Sequence, residues 1–369
     1  MKKGNQMAGL ESREHYYRIF LLTIPVLVLL AGCAGVPPGR EAPSSEPPPP
    51  PPAEEVILDA QLLAQNNEYD SAVSLLKKLV QRERNNIEAL RLLASIYTVM
   101  GKKNESASIW ENISLLDPSD ADAAYEVGVV LARKGDWQNV RSKMLAAELS
   151  GATDSRHYLL IGEADLELGY ESEAEKYLQK ANDLERSLYL LGTLYYDQGK
   201  HSKAEDAFKV VLQRNPDNYT AHLYLGWLAY IKENHHDALR HYRHAVKLNP
   251  GDPLPILSLA GLLDEMGKSA DAINYYKQAL SLAGIPREER KKVYNSLSRL
   301  LVESGNVTEA VSFIKRGLKE FPKSGGLYYQ WGMALLKEGN KTEAIEKLKL
   351  AANDPVWKDI ALRRIHTIQ

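Results

Sequence analysis

A small residue recurs along most of this chain at a nearly constant spacing. The residues are Ala60, Ala94, Gly128, Gly162, Gly192, Gly226, Ala260, Ser298 and Gly332, and the step between neighbours is 34 in six of eight cases. A second series, mostly alanine, lies 12 residues after the first: Ala72, Ser106, Val140, Ala174, Ala204, Ala238, Ala272, Ala310 and Ala344. Small side chains at two positions 12 apart allow consecutive antiparallel helices to approach closely. The spacing therefore predicts an extended stack of two-helix units rather than a globular domain around a catalytic cleft.

The fifth unit shows the helical pattern most fully. Its first helix carries apolar residues three and four apart from Leu188 to Tyr195, a turn follows at Gly199, and the second apolar helix stops before Pro216. This order of a large apolar residue, Leu-Gly, Tyr, Ala, Phe and Pro resembles the tetratricopeptide repeat. Nine such units are predicted, at residues 53–86, 87–120, 121–154, 155–184, 185–218, 219–252, 253–286, 291–324 and 325–358.

The resemblance implies an all-α fold, a right-handed superhelical α-solenoid with a repeat array at residues 53–354 and a C-terminal capping helix at residues 355–369. In this family the second, fifth, ninth and twelfth residues of each first helix line a concave groove. Units five and six place Tyr189, Thr193, Tyr196, Leu223, Trp227 and Tyr230 there, and unit nine adds Tyr329, Met333 and Leu336. Because Tyr and Trp are common interface anchors, these residues predict a site for an envelope protein or peptide. Alternatively, the short fourth unit bends the chain more tightly, and the rings pack against a neighbouring helix.

The N-terminal segment predicts export and a lipid anchor. Residues 1–32 combine a basic start with an apolar run from Ile19 to Leu30, as in a secretory signal. The ending Leu-Ala-Gly-Cys resembles the bacterial lipobox, which implies acylation of Cys33, the only cysteine. By resemblance to enterobacterial lipoproteins, Ala34 after this cysteine implies an outer-membrane protein whose repeats face the periplasm. The alternative is an uncleaved signal anchor, since residues 19–36 are only just long enough to cross a bilayer.

Between anchor and repeats, residues 33–54 include six consecutive prolines, Pro47–Pro52. Such a segment favours polyproline II and predicts a semi-rigid spacer. The chain has a formal net charge of −2, and removal of residues 1–32, which hold four basic and two acidic residues, changes it to about −4. This balance gives no indication of nucleic-acid binding, which requires a concentrated basic face.

Motifs for catalysis or for cofactor binding are not found in the sequence. It contains no phosphate-binding glycine loop, no zinc-ligand spacing and no nucleophile elbow, so we expect no catalytic residue, cofactor or metal. Five of the nine histidines lie in the sixth unit: His222, His235, His236, His241 and His244. His241 and His244 share a helix face, which suits a transition metal. The alternative is that both lie on a solvated outer face of the second helix.

Together these features predict a noncatalytic, lipid-anchored adaptor for protein partners in the cell envelope, in secretion, pilus, outer-membrane or peptidoglycan machinery. The repeat positions encode the fold and not the partner, so the sequence does not choose among these systems. A polysaccharide-export accessory protein is the alternative, because aromatic groove residues suit sugar stacking equally well.

Overall fold

The computed structural model describes residues 50–151 and 153–368, and this part of the chain contains nineteen helices and no β-strand. In chain order the helices are α1 (Ala53–Gln65), α2 (Tyr69–Arg82), α3 (Ile87–Val99), α4 (Lys103–Leu116), α5 (Ala121–Arg133), α6 (Trp137–Leu149), α7 (Ser155–Leu168), α8 (Glu171–Lys180), α9 (Glu185–Asp197), α10 (His201–Arg214), α11 (Tyr219–Ile231), α12 (His235–Leu248), α13 (Pro253–Glu265), α14 (Ser269–Ser281), α15 (Arg287–Glu303), α16 (Val307–Glu320), α17 (Gly325–Lys337), α18 (Lys341–Ala351) and α19 (Lys358–Ile368). The predicted all-α, tetratricopeptide fold class is confirmed.

Each predicted unit contains two of these helices, which we call a hairpin and number one to nine. The four residues that interrupt the period, 287–290, form the first turn of α15 and make it the longest helix, at 17 residues. After the ninth hairpin, α19 contacts α18 and buries Ala361 and Ile365.

Close helix packing explains the first series of small residues. A Cβ atom built on Gly226 would lie 2.4 Å from Cε1 of Tyr242 on the second helix of the same hairpin. At Gly192 the nearest atom would be Cζ of Phe208, at 2.7 Å. Any larger side chain would overlap these buried rings, so the small residue sets how closely the two helices of a hairpin approach.

The turn inside each hairpin requires a left-handed backbone. Seven of the nine turns in the described part have glycine at that position, as at Gly199 with a φ of 70°. The first and sixth hairpins use Asn67 and Glu233 instead, with φ values of 63° and 59°. Asparagine tolerates this conformation, whereas glutamate adopts it at a steric cost.

The chain divides into two compact units, Met1–Leu191 and Gly192–Gln369, with the boundary inside α9. Each of these contains several hairpins, and from here on the first unit and the second unit mean these two parts of the chain. Each unit has its own buried side chains between successive helices, among them Leu76 and Ile96 in the first and Tyr242 and Leu259 in the second. The predicted signal segment, Cys33 and most of the proline-rich spacer lie outside the described residues. Among the helices of the described part, none combines the length and apolar character needed to cross a bilayer.

Candidate partner-binding surface

Three aromatic side chains meet in the second unit and form what we call the aromatic cluster: Tyr196 on α9, and Tyr224 and Trp227 on α11. The ring of Tyr224 stands edge-on to Tyr196 and to Trp227, with centroid distances of 5.3 and 5.0 Å. Its other side stacks on the buried ring of Phe208 at 4.7 Å. Each such pair contributes about 0.5–1.5 kcal/mol in addition to the stabilisation from its buried area. The contact with Phe208 therefore holds the cluster in a fixed position.

The cluster is only partly covered. Tyr196 and Trp227 are half-buried, and burial raises the pKa of the Tyr196 phenol. The indole Nε1 of Trp227 donates a hydrogen bond to Ser258 Oγ on α13 at 3.0 Å. This bond fixes the orientation of the indole and ties the sixth hairpin to the seventh.

At the end of α11 two large apolar side chains face solvent. Tyr230 is 42% exposed and its neighbour Ile231 is 45% exposed. A hydrogen bond to Glu265 on α13 raises the pKa of Tyr230, and its ring stacks on His235 at 6.1 Å. Exposed apolar side chains beside a half-buried indole form a surface suited to contact with a partner.

The other predicted groove residues lie in different surroundings. Leu223 is 3% exposed and packs in the core of the second unit, so the prediction that it lines a groove is corrected. On α11 the side chain of Leu223 packs among apolar side chains of α12 and α13. Thr193 is half-buried in the second unit. Tyr189 is half-buried in the first unit, where the guanidinium carbon of Arg186 lies 5.7 Å from the centre of its ring.

The apolar surface continues onto the seventh hairpin and stops at a charged residue there. At the predicted groove positions of α13 lie Leu254 and Leu257, both half-buried, and Gly261. The fourth position is Asp264, whose two carboxylate oxygens accept hydrogen bonds from Nη2 of Arg299 at 2.8 and 2.6 Å. The apolar stretch is therefore bounded by a charged group, in which Arg299 pairs with Asp264 and also with Glu303 at 2.9 Å.

In the ninth hairpin the predicted groove residues mainly contact their own neighbours. The ring of Tyr329 packs against Trp357, which precedes α19, at 5.2 Å. Met333 is half-buried and packs against the core of the second unit, and Leu336 is also half-buried. This set is separate in the chain from the aromatic cluster and exposes less apolar surface than Tyr230 and Ile231.

Three of the same positions in the first unit, Arg91, Asp122 and Arg156, carry charges that lie close together. Arg156 lies between Asp122 and Asp154 with N–O distances of 2.8 and 2.6 Å, and Arg91 also contacts Asp122 at 3.2 Å. Burial alone would raise the pKa of Asp154, but hydrogen bonds from Arg156 and from His157 lower it to about 2. These charges are paired with one another, so this part of the first unit is less suited to an apolar partner.

The histidines of the sixth hairpin are arranged differently from the expectation. His241 does not lie on a solvated face: it is half-buried, and its Nδ1 lies 3.0 Å from Nδ1 of His222. His244 is exposed and stacks on the ring of His222 at 5.0 Å. Within residues 50–151 and 153–368, no three His, Cys, Asp or Glu side chains are arranged to hold a metal ion.

Two residues of the surface were not predicted. Tyr224 is the centre of the aromatic cluster, but it occupies the sixth place of α11, which the groove pattern does not include. Ser258 is a small polar residue whose role depends on a contact 31 positions away. The available signal was the density of aromatic residues in α11, which also contains Tyr219 and Tyr230.

Comparison with known proteins agrees with the geometry. Models described as "Tetratricopeptide repeat" match residues 63–126, 189–253, 257–325 and 295–356, together more than half of the chain. A TPR repeat-containing protein of Methanocaldococcus jannaschii, MJ1428, is 27% identical over 169 residues, which are 44% of this chain and 29% of that protein. The chain thus spans less than a third of the length of this relative.

A solved structure with a TM-score of 0.50 has the same fold. The C-terminal part of a TPR repeat-containing protein from Cytophaga hutchinsonii is 20% identical, with a TM-score of 0.50, and the match covers 65% of this chain and 99% of that one. PilF of Pseudomonas aeruginosa is 17% identical, with a TM-score of 0.47, over 56% of this chain and 94% of that one. With the helix pairs, the buried small residues and the family matches in agreement, the chain belongs to the tetratricopeptide repeat family.

Proposed function

We propose that this chain is a noncatalytic, lipid-anchored adaptor of the bacterial cell envelope, which binds a protein partner on the surface around the aromatic cluster. Tetratricopeptide repeats are scaffolds for protein–protein interaction. Large apolar side chains are exposed at several places in the described residues, and one of these places adjoins the aromatic cluster. There Tyr230 and Ile231 are 42% and 45% exposed beside the half-buried Trp227. This exposed aromatic and aliphatic surface is the observation that carries the proposal.

Rigid support strengthens the case. Trp227 is fixed by Ser258 and by Tyr224, and Tyr224 rests on the buried Phe208. A partner that contacts a preorganised ring loses less side-chain entropy on binding than one that must order a mobile ring. We expect the partner to insert an apolar side chain between Trp227 and Tyr230, with Leu254 and Leu257 extending the contact.

The anchor is supported by the sequence of residues 1–33. In this proposal Cys33 is acylated, becomes the first residue after cleavage and holds the protein on the outer membrane, with the repeats in the periplasm. Replacing Cys33 with Ser should abolish palmitate labelling in cells and block removal of residues 1–32. If the native chain carries no label and retains residues 1–32, an uncleaved signal anchor replaces the lipid in the proposal.

Partner contact is tested with a photo-crosslinking amino acid in place of Ile231, followed by mass spectrometry of the adduct. When Trp227→Ala and Tyr230→Ala are introduced together into this crosslinking variant, the amount of crosslinked partner should fall at least tenfold. Loss of an aromatic anchor costs about 2 kcal/mol or more of binding free energy. The matched control is Tyr170→Ala, since Tyr170 is 43% exposed but lies in the first unit. Circular dichroism should be the same for all variants.

Two outcomes would count against a protein partner at this surface. The first is an undiminished adduct in the double alanine variant. The second is an absence of protein adducts together with binding on a glycan array that Trp227→Ala abolishes, which would favour the polysaccharide-export alternative. Aromatic stacking suits sugar rings as well as apolar side chains, so the array is needed to separate the two.

A further inference from the structure

One buried polar side chain has no role in the surface described above. His222 is 7% exposed and occupies the fourth position of α11, inside the sixth hairpin. The equivalent residues of the other eight hairpins are all apolar or aromatic: Val56, Leu90, Ala124, Tyr158, Leu188, Ile256, Tyr294 and Tyr328. Burying an imidazole costs free energy unless its nitrogens find partners, so this exception calls for an explanation.

Hydrogen bonds determine which nitrogens of His222 and His241 carry protons. His222 Nε2 lies 3.0 Å from the carbonyl oxygen of Pro216, which can only accept, so Nε2 carries the hydrogen and donates it. His222 Nδ1 is then an acceptor, and His241 Nδ1, 3.0 Å away, is its donor. His241 Nε2 is left as an acceptor 3.3 Å from Nη2 of Arg240. We assign these tautomers from the bonding partners.

The full set of hydrogen bonds exists only when both rings are neutral. A proton added to His222 places an N–H on its Nδ1, and His241 can accept from it only by moving its own hydrogen to Nε2, which then faces the guanidinium of Arg240. A proton added to His241 places an N–H on the same Nε2. Either event sets a donor against Arg240 in place of an acceptor, and brings a positive charge into a partly buried site.

We propose that His222 and His241 form an acid-sensitive latch, which holds α11 and α12 to the turn at Pro216 at neutral pH and opens when either ring is protonated. The latch lies in the sixth hairpin and the turn that precedes it, so the inference does not depend on what the aromatic surface binds. It concerns the same helix that carries Tyr224 and Trp227, which means that acid would loosen the support of that surface.

The surrounding charges favour the neutral pair. Burial lowers the pKa of His222, and burial followed by Arg240 lowers the pKa of His241 to about 4. His244 acts in the same direction on both rings, whereas Asp217 near His222 and Asp237 near His241 act in the opposite direction. The acidic residues therefore do not compensate for burial. The same Arg240 makes the pair a poor site for a metal ion.

The direction of the pH dependence follows from linkage. In the open form the rings have an ordinary pKa of about 6.5, so the open form takes up protons below that pH while the closed form does not. The latch is fully formed above pH 6.5 and is lost as the pH falls toward 4. At pH 5 the proton on His241 alone favours the open form by about 30-fold.

Hydrogen exchange of the full chain, read by mass spectrometry and corrected for intrinsic rates, tests the latch. Between pH 7.5 and 5.0 the protection of α11 and α12 should fall at least tenfold, while that of α13 and α14 should not. His222→Leu, which installs the residue found at the same position of hairpins two and five, should abolish this response. His236→Gln is the matched control, because His236 is exposed on α12, and it should respond as the native chain does.

An acid response that persists in His222→Leu, or that is equal in α13 and α14, would overturn the latch. If the leucine variant does not fold, two further measurements decide. His241→Phe installs the residue that hairpin eight has at the equivalent position and should also remove the response. Nuclear magnetic resonance of the native chain, with ring-labelled histidine, should show that His241 stays neutral at pH 6 and that the pKa of His222 lies below that of the exposed His236; if His222 and His241 both titrate as His236 does, the latch is absent.

Discussion

Two helix-interior glycines should respond in opposite ways to the same substitution. Gly226 lies in α11 and Gly261 in α13, and alanine is a better helix former than glycine by about 1 kcal/mol. A Cβ atom at Gly226 would lie 2.4 Å from Cε1 and 2.5 Å from Cδ1 of Tyr242, a side chain that is 2% exposed. At Gly261 the nearest atom is Oη of Tyr276, at 4.0 Å.

The expected magnitudes follow from these contacts. Overpacking a buried ring costs about 1–3 kcal/mol, so Gly226→Ala should lower the free energy of unfolding by about 1 kcal/mol after the propensity gain. Gly261→Ala meets no obstacle and should raise the free energy of unfolding by about 1 kcal/mol. The two variants carry the same chemical change, so the difference between them, about 1–3 kcal/mol, measures the packing contact alone.

Urea unfolding of the full chain, followed by circular dichroism, measures the difference. Since the hairpins of an array can open separately, hydrogen exchange of the amides in α11 and α13 gives the free energy of local opening of each helix. A second substitution tests the cause: with Tyr242→Leu the ring is removed, and adding Gly226→Ala should then cost less. The reasoning is refuted if Gly226→Ala is at least as stable as Gly261→Ala.

Two buried aspartates in the first unit give further predictions. Asp120 accepts a hydrogen bond from the backbone N–H of Ala123 at 2.9 Å and pairs with Arg91 at 2.5 Å, so Asp120→Ala should cost about 1–2 kcal/mol or more in urea unfolding, whereas Asp120→Asn keeps the helix cap, loses only the ion pair and should cost less. Arg141 lies 2.5 Å from the fully buried Asp165, and Arg141→Met should cost about 3 kcal/mol at pH 7. Because burial raises the pKa of Asp165, this loss should shrink as the pH is lowered and the carboxylate is neutralised, and a loss that is the same at pH 4 and pH 7 would contradict the assignment.

Much of the fold was predictable because it depends on residues that repeat. Gly192 and Gly226 lie where their spacing placed them, against Phe208 and Tyr242 of the paired helix. The period specifies which residues face the partner helix, and this relation is local to one hairpin. Such contacts are readable from sequence because the two helices of a hairpin are joined by a short turn.

The candidate site was only partly predictable, because its geometry depends on contacts between hairpins. The groove pattern identified Trp227 and Tyr230 but also placed Leu223 there, although that side chain is in the core. It did not include Tyr224, whose position depends on the ring of Phe208 beneath it. The interaction of His222 with His241 was likewise not predicted, since a helix-face argument compares residues within one helix only.

The turn at Glu233 has a mechanical consequence. A glutamate in the left-handed region costs about 1–2 kcal/mol relative to the glycine that seven other turns use, and the same hairpin holds a buried imidazole pair. Under tension between the two ends of the chain, we expect this hairpin to yield before its neighbours. The chain would then lengthen by unfolding of this one hairpin, while the flanking helices stay folded.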